Sequence, residues 1–362
     1  MRVLVGVVGG ALVALMALEI FFAFLLPRRV KRDVRLARAV FTYGWRPWRR
    51  VARLLPARTA DTMLGMYGPL GLLVNLALWL AALVLGYACL LWAGGSHLGV
   101  HAHEGVDFGS DLYFAAATMT TNGPSGLAAH TGFTRAIQVL DAGSGLAVLA
   151  IVIGYLPSLY QAFSAREATV SQLDARAGSP PSAGRLVIRS IQHGGWKELS
   201  EYLSSWEKWV AELMETHLAY PVLAFFRSQH LNQNWLSAMC AVLDACVLTI
   251  ACAPHGTVDS ARFTYAIARH AVVDLTYTFH SEPLEPAADR LPRGDLEELL
   301  EQLRDVGIEP AGDGAAIDER VRRLRATYEP YVNALAQRLE LHLPDWLAPE
   351  SPTDNWRRTE WH

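Results

Sequence analysis

Cysteine is scarce in this chain and poorly placed for chemistry. Four occur in 362 residues, Cys89, Cys240, Cys246 and Cys252, each inside an apolar run and none in a Cys-x-x-Cys pair. That argues against a disulfide framework and against a zinc site. A step of six residues turns a helix position by about 240°, so the last three do not share a face. They read as small buried apolar residues. No Gly-x-Gly-x-x-Gly is present, no segment alternates apolar and polar residues, and no nucleophile stands at a recognisable spacing from a base. A nucleotide-binding α/β domain, a catalytic centre, a resident metal and a cofactor are therefore not expected, and nor is enzyme activity. The net charge of −3 gives no general attraction to nucleic acid.

What the chain has in excess is apolar sequence. Hydrophobic residues make up 52% and charged residues 19%, and the mean hydropathy is +0.18. The excess is concentrated in a few segments. Val3–Leu26 is apolar almost throughout and ends at Pro27 and a basic cluster. At ~1.5 Å per residue it is long enough to cross a ~30 Å hydrocarbon core. It lacks a small-residue cleavage site and reads as a signal anchor that is retained. Gly68–Trp92 and Ala136–Tyr160 are two further spans. Glu19 and Asp141 are intramembrane carboxylates, which face protein or water rather than lipid; Asn75 is a candidate partner for Glu19. Ten arginines and one lysine lie between residues 28 and 58, opposed by Asp33 and, just beyond, Asp61. Such a loop is expected on the cytoplasmic side, against anionic headgroups. The N-terminus and residues 94–135 then lie outside, and everything after Tyr160 lies inside.

The outer segment holds the most informative stretch. "DFGSDLYFAAATMTT" (107–121) reads as a short helix that Ser110 or Asp111 can cap, and it is too short to span. Thr118–Gly126, "TMTTNGPSG", follows as an uncharged polar loop. Non-helical backbone at membrane depth is tolerated where protein buries it or where it lines water. There its carbonyls and hydroxyls can replace the hydration shell of a cation.

"DLYFAAATMTTNGPSG…TGFTRAIQVLDAGSG" resembles the pore module of the two-transmembrane potassium-channel superfamily. In that family an outer helix, a pore helix, a Thr-Thr-Val-Gly-Tyr-Gly-Asp filter and a glycine-hinged inner helix follow in order. The resemblance covers about Gly68–Tyr160. It implies a pore helix beginning near Asp111, Tyr113 and Phe114, and filter positions Thr120, Thr121, Asn122, Gly123, Pro124 and Ser125. It also implies a basic residue at Arg135 before the inner helix and a hinge at Gly143 or Gly145. The stretch "SAREATVSQLDARAGSPPSAG" is similar to a bacterial group of such proteins with a helical C-terminal region. The departures are specific. Asn122 stands where valine is usual, Pro124 where tyrosine is, Ser125 where the second glycine is and Gly126 where aspartate is. Proline fixes φ near −65° and lacks an N–H. Serine in the left-handed conformation that a filter glycine adopts is strained. Weak potassium selectivity, a wider monovalent-cation pore and no conduction are the three outcomes this predicts. His97, His101 and His103 in the outer loop are candidates for proton or metal modulation at a pore mouth.

The resulting expectation is an all-α membrane protein. Residues 1–27 form an N-terminal transmembrane helix, 28–66 a basic cytoplasmic loop, and 67–162 a potassium-channel-like pore domain. Residues 163–184 are a linker, 185–345 a cytoplasmic helical domain and 346–362 a flexible tail. Helices are expected at about 185–193, 195–217, 219–230, 233–253, 258–280, 294–306 and 315–342. The segment 235–253 is long enough to be a fourth span, but its polar flanks favour a buried bundle helix, with Arg262 or Arg269 neutralising Asp244. The functional expectation is a homotetramer in a bacterial inner membrane that passes cations, potassium among them, and is assembled or gated by the helical domain. The alternative is a non-conducting anchored sensor or scaffold whose helices bind a ligand or partner of unknown identity.

Overall fold

The computed structural model describes residues 1–24, 36–99, 107–228, 233–254, 258–286 and 288–347. Among these the chain is helical apart from turns and two two-residue strands, β1 (Leu98–Gly99) and β2 (Ala128–Ala129). It divides into two compact units, Met1–Tyr160 and Gln161–His362.

The first unit contains α1 (Arg2–Phe24), α2 (Leu36–Tyr43), α3 (Trp45–Ala52), α4 (Ala57–Ala93), α5 (Phe108–Met119) and the start of α6 (Gly132–Ala177). α1, α4 and α6 are each long and apolar enough to cross a membrane. α1 runs antiparallel to α4 along a seam of small residues. A Cβ on Gly9 would come 2.7 Å from the Cys89 Cβ and 2.7 Å from the Gly86 carbonyl, and one on Gly86 would meet the Val13 side chain at 2.7 Å. Between apolar helices, close backbone approach of this kind supplies the dispersion contact that holds them together. Deeper in the seam, Met16 and Ile20 join Trp79, Leu83 and Tyr87 of α4. Phe114, Ala115 and Met119 of α5 and Ile137 and Val148 of α6 complete one buried cluster. Asn75 is buried, and its amide oxygen accepts no hydrogen bond among the described residues, so the expected bond to Glu19 is not made through that atom.

The second unit contains the end of α6, then α7 (Ala183–Ala219), a 3-10 turn (Pro221–Phe225) and α8 (Trp235–Cys252). α9 (Asp259–Thr278), α10 (Arg293–Asp305), α11 (Gly314–Arg325) and α12 (Glu329–Leu339) complete it. Two sequence expectations are revised here. Residues 163–177 are helix rather than linker, because Arg166, Val170, Leu173 and Ala177 fall on one helical face and are all buried. The connection shrinks to five residues, 178–182, opened by Gly178 at φ +86°. The tail expected from residue 346 starts with Trp346, which is fully buried. Residues 348–362 lie outside the described residues. Gly195 (φ +71°) breaks α7 into the two helices anticipated from sequence.

α8 meets the length and hydropathy of a span, yet 94% of its apolar window is buried, against 17%, 33% and 22% for α1, α4 and α6. α7, α9, α11 and α12 pack around it. Cys240, Cys246 and Cys252 are free and buried, and burial pushes the Cys252 thiol up to about 12. Asp244 at the centre is fully buried and is not neutralised by Arg262 or Arg269, which lie on the exposed face of α9. Its partners are Arg290, at 2.9 and 3.2 Å, and the Tyr328 hydroxyl. Arg290 also reaches Glu329 (3.1 Å) and the Pro344 carbonyl (2.9 Å). Burial opposes the Arg290 charge, but Asp244 beside it holds the guanidinium protonated well above its ordinary range.

A second buried cation joins α6 to α7. Arg166 donates to the carbonyls of Leu223 (2.9 Å) and Phe226 (2.8 Å), pairs with Glu167 (2.8 Å), and lies 3.2 Å from His217 Nε2. His217 Nδ1 lies 2.8 Å from the Leu213 carbonyl and donates to it, so Nε2 is the acceptor from Arg166. Burial and then Arg166 push His217 down from 6.5 to about 3. Below pH 6.5 the unfolded chain protonates this imidazole, whereas the folded chain does not until about 3. Stability is therefore fully held above 6.5 and falls as the pH drops. We expect His217 to remove about 2 kcal/mol between pH 7 and pH 5. His217→Gln should flatten that part of the slope, measured by denaturant unfolding of the full chain at the two pH values.

Candidate functional site

The segment from Asp107 to Gly126 is set by its helix. Asp107, in extended backbone at φ −82° and ψ 171°, caps α5. Its carboxylate accepts from the Ser110 N–H (2.9 Å) and hydroxyl (2.8 Å). The cap is thus neither Ser110 nor Asp111: both already lie within the first turn, where their own backbone is helical. Asp111 is buried and accepts from the Ser96 hydroxyl at 2.5 Å. That bond ties the start of α5 to the turn after α4. Phe114 is fully buried beside it, and Tyr113 points outward, 47% exposed in the single chain.

The other end of α5 is closed by its own loop. Four consecutive N–H groups turn back onto it: Thr120 to Ala116 O (3.1 Å), Thr121 to Thr118 O (3.0 Å), and Asn122 and Gly123 to Ala117 O (3.0 and 3.2 Å). The Thr120 hydroxyl also donates to Ala116 O at 2.8 Å. Among the described residues, no backbone N–H donates to the carbonyls of Thr120 to Gly123. These residues are exposed, so the loop offers acceptor atoms at the negative end of a helix dipole. Left-handed backbone falls on Thr121 (φ +58°), Gly123 (φ +75°) and Gly126 (φ +77°). Ser125 is not among them, contrary to the sequence expectation. The strain falls instead on Thr121, a β-branched residue for which positive φ costs on the order of 1–3 kcal/mol. Pro124 is half-buried, and its carbonyl accepts from Leu127 N–H at 3.4 Å.

The two glycines considered as hinges differ in role. A Cβ on Gly145 would come 2.2 Å from the Met119 carbonyl, so α6 approaches the last turn of α5 backbone to backbone. A Cβ on Gly143 would meet nothing within 4 Å. α6 is helical through both. One turn before Gly145, Asp141 is 1% exposed and neither of its carboxylate oxygens has a hydrogen-bond partner among the described residues. The Tyr87 hydroxyl joins α4 to α6 through Ser144 (2.6 Å) and the Leu140 carbonyl (3.3 Å).

Outside the loop, β1 and β2 pair antiparallel, Leu98 opposite Ala129 and Gly99 opposite Ala128. His130 Nε2 lies 2.7 Å from the Gly99 carbonyl, and Arg135 Nε donates to the Ala129 carbonyl at 3.2 Å. Of the three histidines singled out from sequence, His97 is exposed, and His101 and His103 lie outside the described residues. The Ser96–Asp111 and Tyr87–Ser144 bonds were not anticipated. Their sequence signal is a hydroxyl at the end of one apolar segment facing a polar residue at the start of the next. Comparison with known protein families, curated proteins and solved structures finds no match for this chain.

Gly145→Ala is expected to lower stability by about 1–3 kcal/mol, because backbone rather than a flexible side chain must yield. Gly143→Ala should be neutral or stabilise by up to about 1 kcal/mol, since alanine is the better helix former. Thermal unfolding of the two purified variants in the same detergent checks the contrast.

Proposed function

We propose that this chain is a potassium-channel-like pore protein that passes monovalent cations with weak selectivity. The observation that carries the reading is the end of α5. Four successive N–H groups are used within the helix cap, which leaves carbonyls and threonine hydroxyls exposed at its negative end. A hydrated cation exchanges its water for oxygens of this kind. The loop lies between two antiparallel apolar helices, α4 and α6, which is the order of the pore module this sequence resembles. In this reading four copies meet around one axis, since a shared pore requires cyclic symmetry. Thr120, Thr121, Asn122 and Gly123 then line the narrow part. Pro124 and Ser125, in place of the tyrosine and glycine of the family pattern, leave the outer part without the usual stack of carbonyl rings. The basic segment before α4 lies on the cytoplasmic side of a bacterial inner membrane, the N-terminus lies outside, and the second unit is a cytoplasmic domain that assembles or gates the pore.

A second reading is favoured by one observation. The bonds from Thr121 and Asn122 to Thr118 and Ala117, with Thr121 left-handed, form the ordinary closure of a helix C-terminus. A loop that only ends a helix would make the first unit an anchor, and the second unit a sensor or scaffold.

Flux through the purified protein in liposomes, with opposed potassium and sodium gradients, separates the two. The pore reading expects wild-type flux with little discrimination between the ions, and a gain in potassium preference for Pro124→Tyr/Ser125→Gly. Silence from both proteins in the presence of intact tetramers would favour the anchor.

A further inference from the structure

The polar end of α4 is enclosed by α2 and α3, and the enclosure is specific. Tyr67 donates to the carbonyls of Val40 (3.0 Å) and Phe41 (3.2 Å), and its ring packs edge-on against Trp45 at 4.8 Å between centroids. Trp48 donates to the Met63 carbonyl at 2.9 Å. Gly71 leaves room for Phe41, whose ring would lie 2.5 Å from a Cβ there. These aromatics sit where α4 passes from its polar start, Arg58–Thr62, into the apolar run that follows. That is the depth at which tryptophan and tyrosine collect in a bilayer.

The rest of α3 has two surfaces. With Trp45 and Ala52 buried, Arg46, Arg50 and Arg53 are exposed and recur at i, i+4 and i+7, on one stripe. Beside them Val51 (49% exposed), Leu54 (84%) and Leu55 (37%) carry apolar surface left open among the described residues. From residue 36 to residue 68, Asp61 is the one carboxylate against six arginines. A cationic stripe flanked by exposed leucines, held at an aromatic belt, is the pattern of a helix lying in the headgroup layer.

We propose that α3 and the turn after it bind the headgroups of anionic phospholipid, with Arg46, Arg50 and Arg53 on the phosphates and Leu54 and Leu55 in the acyl boundary. The proposal rests on the reading that α1 and α4 cross a membrane, and it is independent of whether the loop after α5 conducts. The charge is concentrated on a surface that the aromatic clamp fixes against α4, so the site is built before lipid arrives. A free phosphate would meet the same guanidiniums but would leave the leucines in water.

The full chain, reconstituted in nanodiscs of phosphatidylcholine with increasing phosphatidylglycerol, provides the test, read as retained phosphatidylglycerol by native mass spectrometry. Each basic residue near an anionic surface contributes about a fivefold preference, so Arg46→Gln/Arg50→Gln/Arg53→Gln should retain the lipid about 100-fold more weakly. Leu54→Ser/Leu55→Ser should weaken retention without changing its salt dependence. Arg293→Gln/Arg304→Gln/Arg323→Gln, with the same charge change in the second unit, should retain the lipid as the wild type does. Inorganic phosphate should not compete. Equal retention by the wild type and the α3 triple variant, or full competition by inorganic phosphate, overturns the proposal. A chain that fails to float with pure phosphatidylcholine liposomes overturns the spanning reading and this proposal with it. Flotation without any preference for phosphatidylglycerol overturns the lipid site alone.

Discussion

The first unit is organised around a backbone constraint: a twelve-residue helix closes among apolar side chains, where its last carbonyls find little water. An unpaired buried carbonyl costs as much as a lost hydrogen bond, so the chain folds back and supplies N–H groups from Thr120 to Gly123. Much else follows from that closure. Thr121 must adopt a left-handed backbone, Gly123 follows it there, and among the described residues the carbonyls of Thr120 to Gly123 are left without a backbone donor. α6 can then approach the Met119 carbonyl only because residue 145 has no side chain. The polar character of the loop and the tight packing behind it are two results of one requirement.

The second unit solves a different problem. α8 is apolar enough to enter a membrane, and it is kept out of solvent by the helices that surround it. Its one charge, Asp244, is met by Arg290 and Tyr328, and Arg290 in turn by Glu329. A buried pair of this kind adds little net stability relative to a well-packed apolar core, but removing one member leaves a desolvated charge. The network draws on α8, α12 and the segment before α10, so it constrains which residues can pack around the central helix.

Sequence patterning made the long elements readable and the short contacts unreadable. The long apolar helices α1, α4 and α6, the short helix before the polar loop and the break near Gly195 all follow from hydropathy, length and glycine placement. The sequence places the end of α6 near Tyr160, because Ser164–Gly184 is charged and then rich in Ser, Pro and Gly, which reads as a linker. The buried face of Arg166, Val170 and Leu173 includes an arginine whose partners, apart from the adjacent Glu167, lie more than fifty residues away: His217 and the carbonyls of Leu223 and Phe226. The partner of Asp244 lies 46 residues away in a loop, and no local period encodes that distance. At the candidate site, the loop and its threonines were legible. The residue that bears the strain was not, because the handedness of each position depends on which carbonyls remain unpaired at the helix end. Asp107 was missed as the cap because Ser110 and Asp111 are equally good capping types three and four residues later.

The glycine seam between α1 and α4 has a consequence for synthesis. Gly9 and Gly86 touch in the finished protein, yet about 77 residues separate them along the chain. At roughly 5–20 residues per second, α1 leaves the ribosome about 4–15 s before its counterpart. Throughout that interval its groove of small residues lacks the α4 face that fills it in the finished protein. A helix that satisfies its own backbone can wait in this way, and its docking becomes the event that marks the arrival of the rest of the unit.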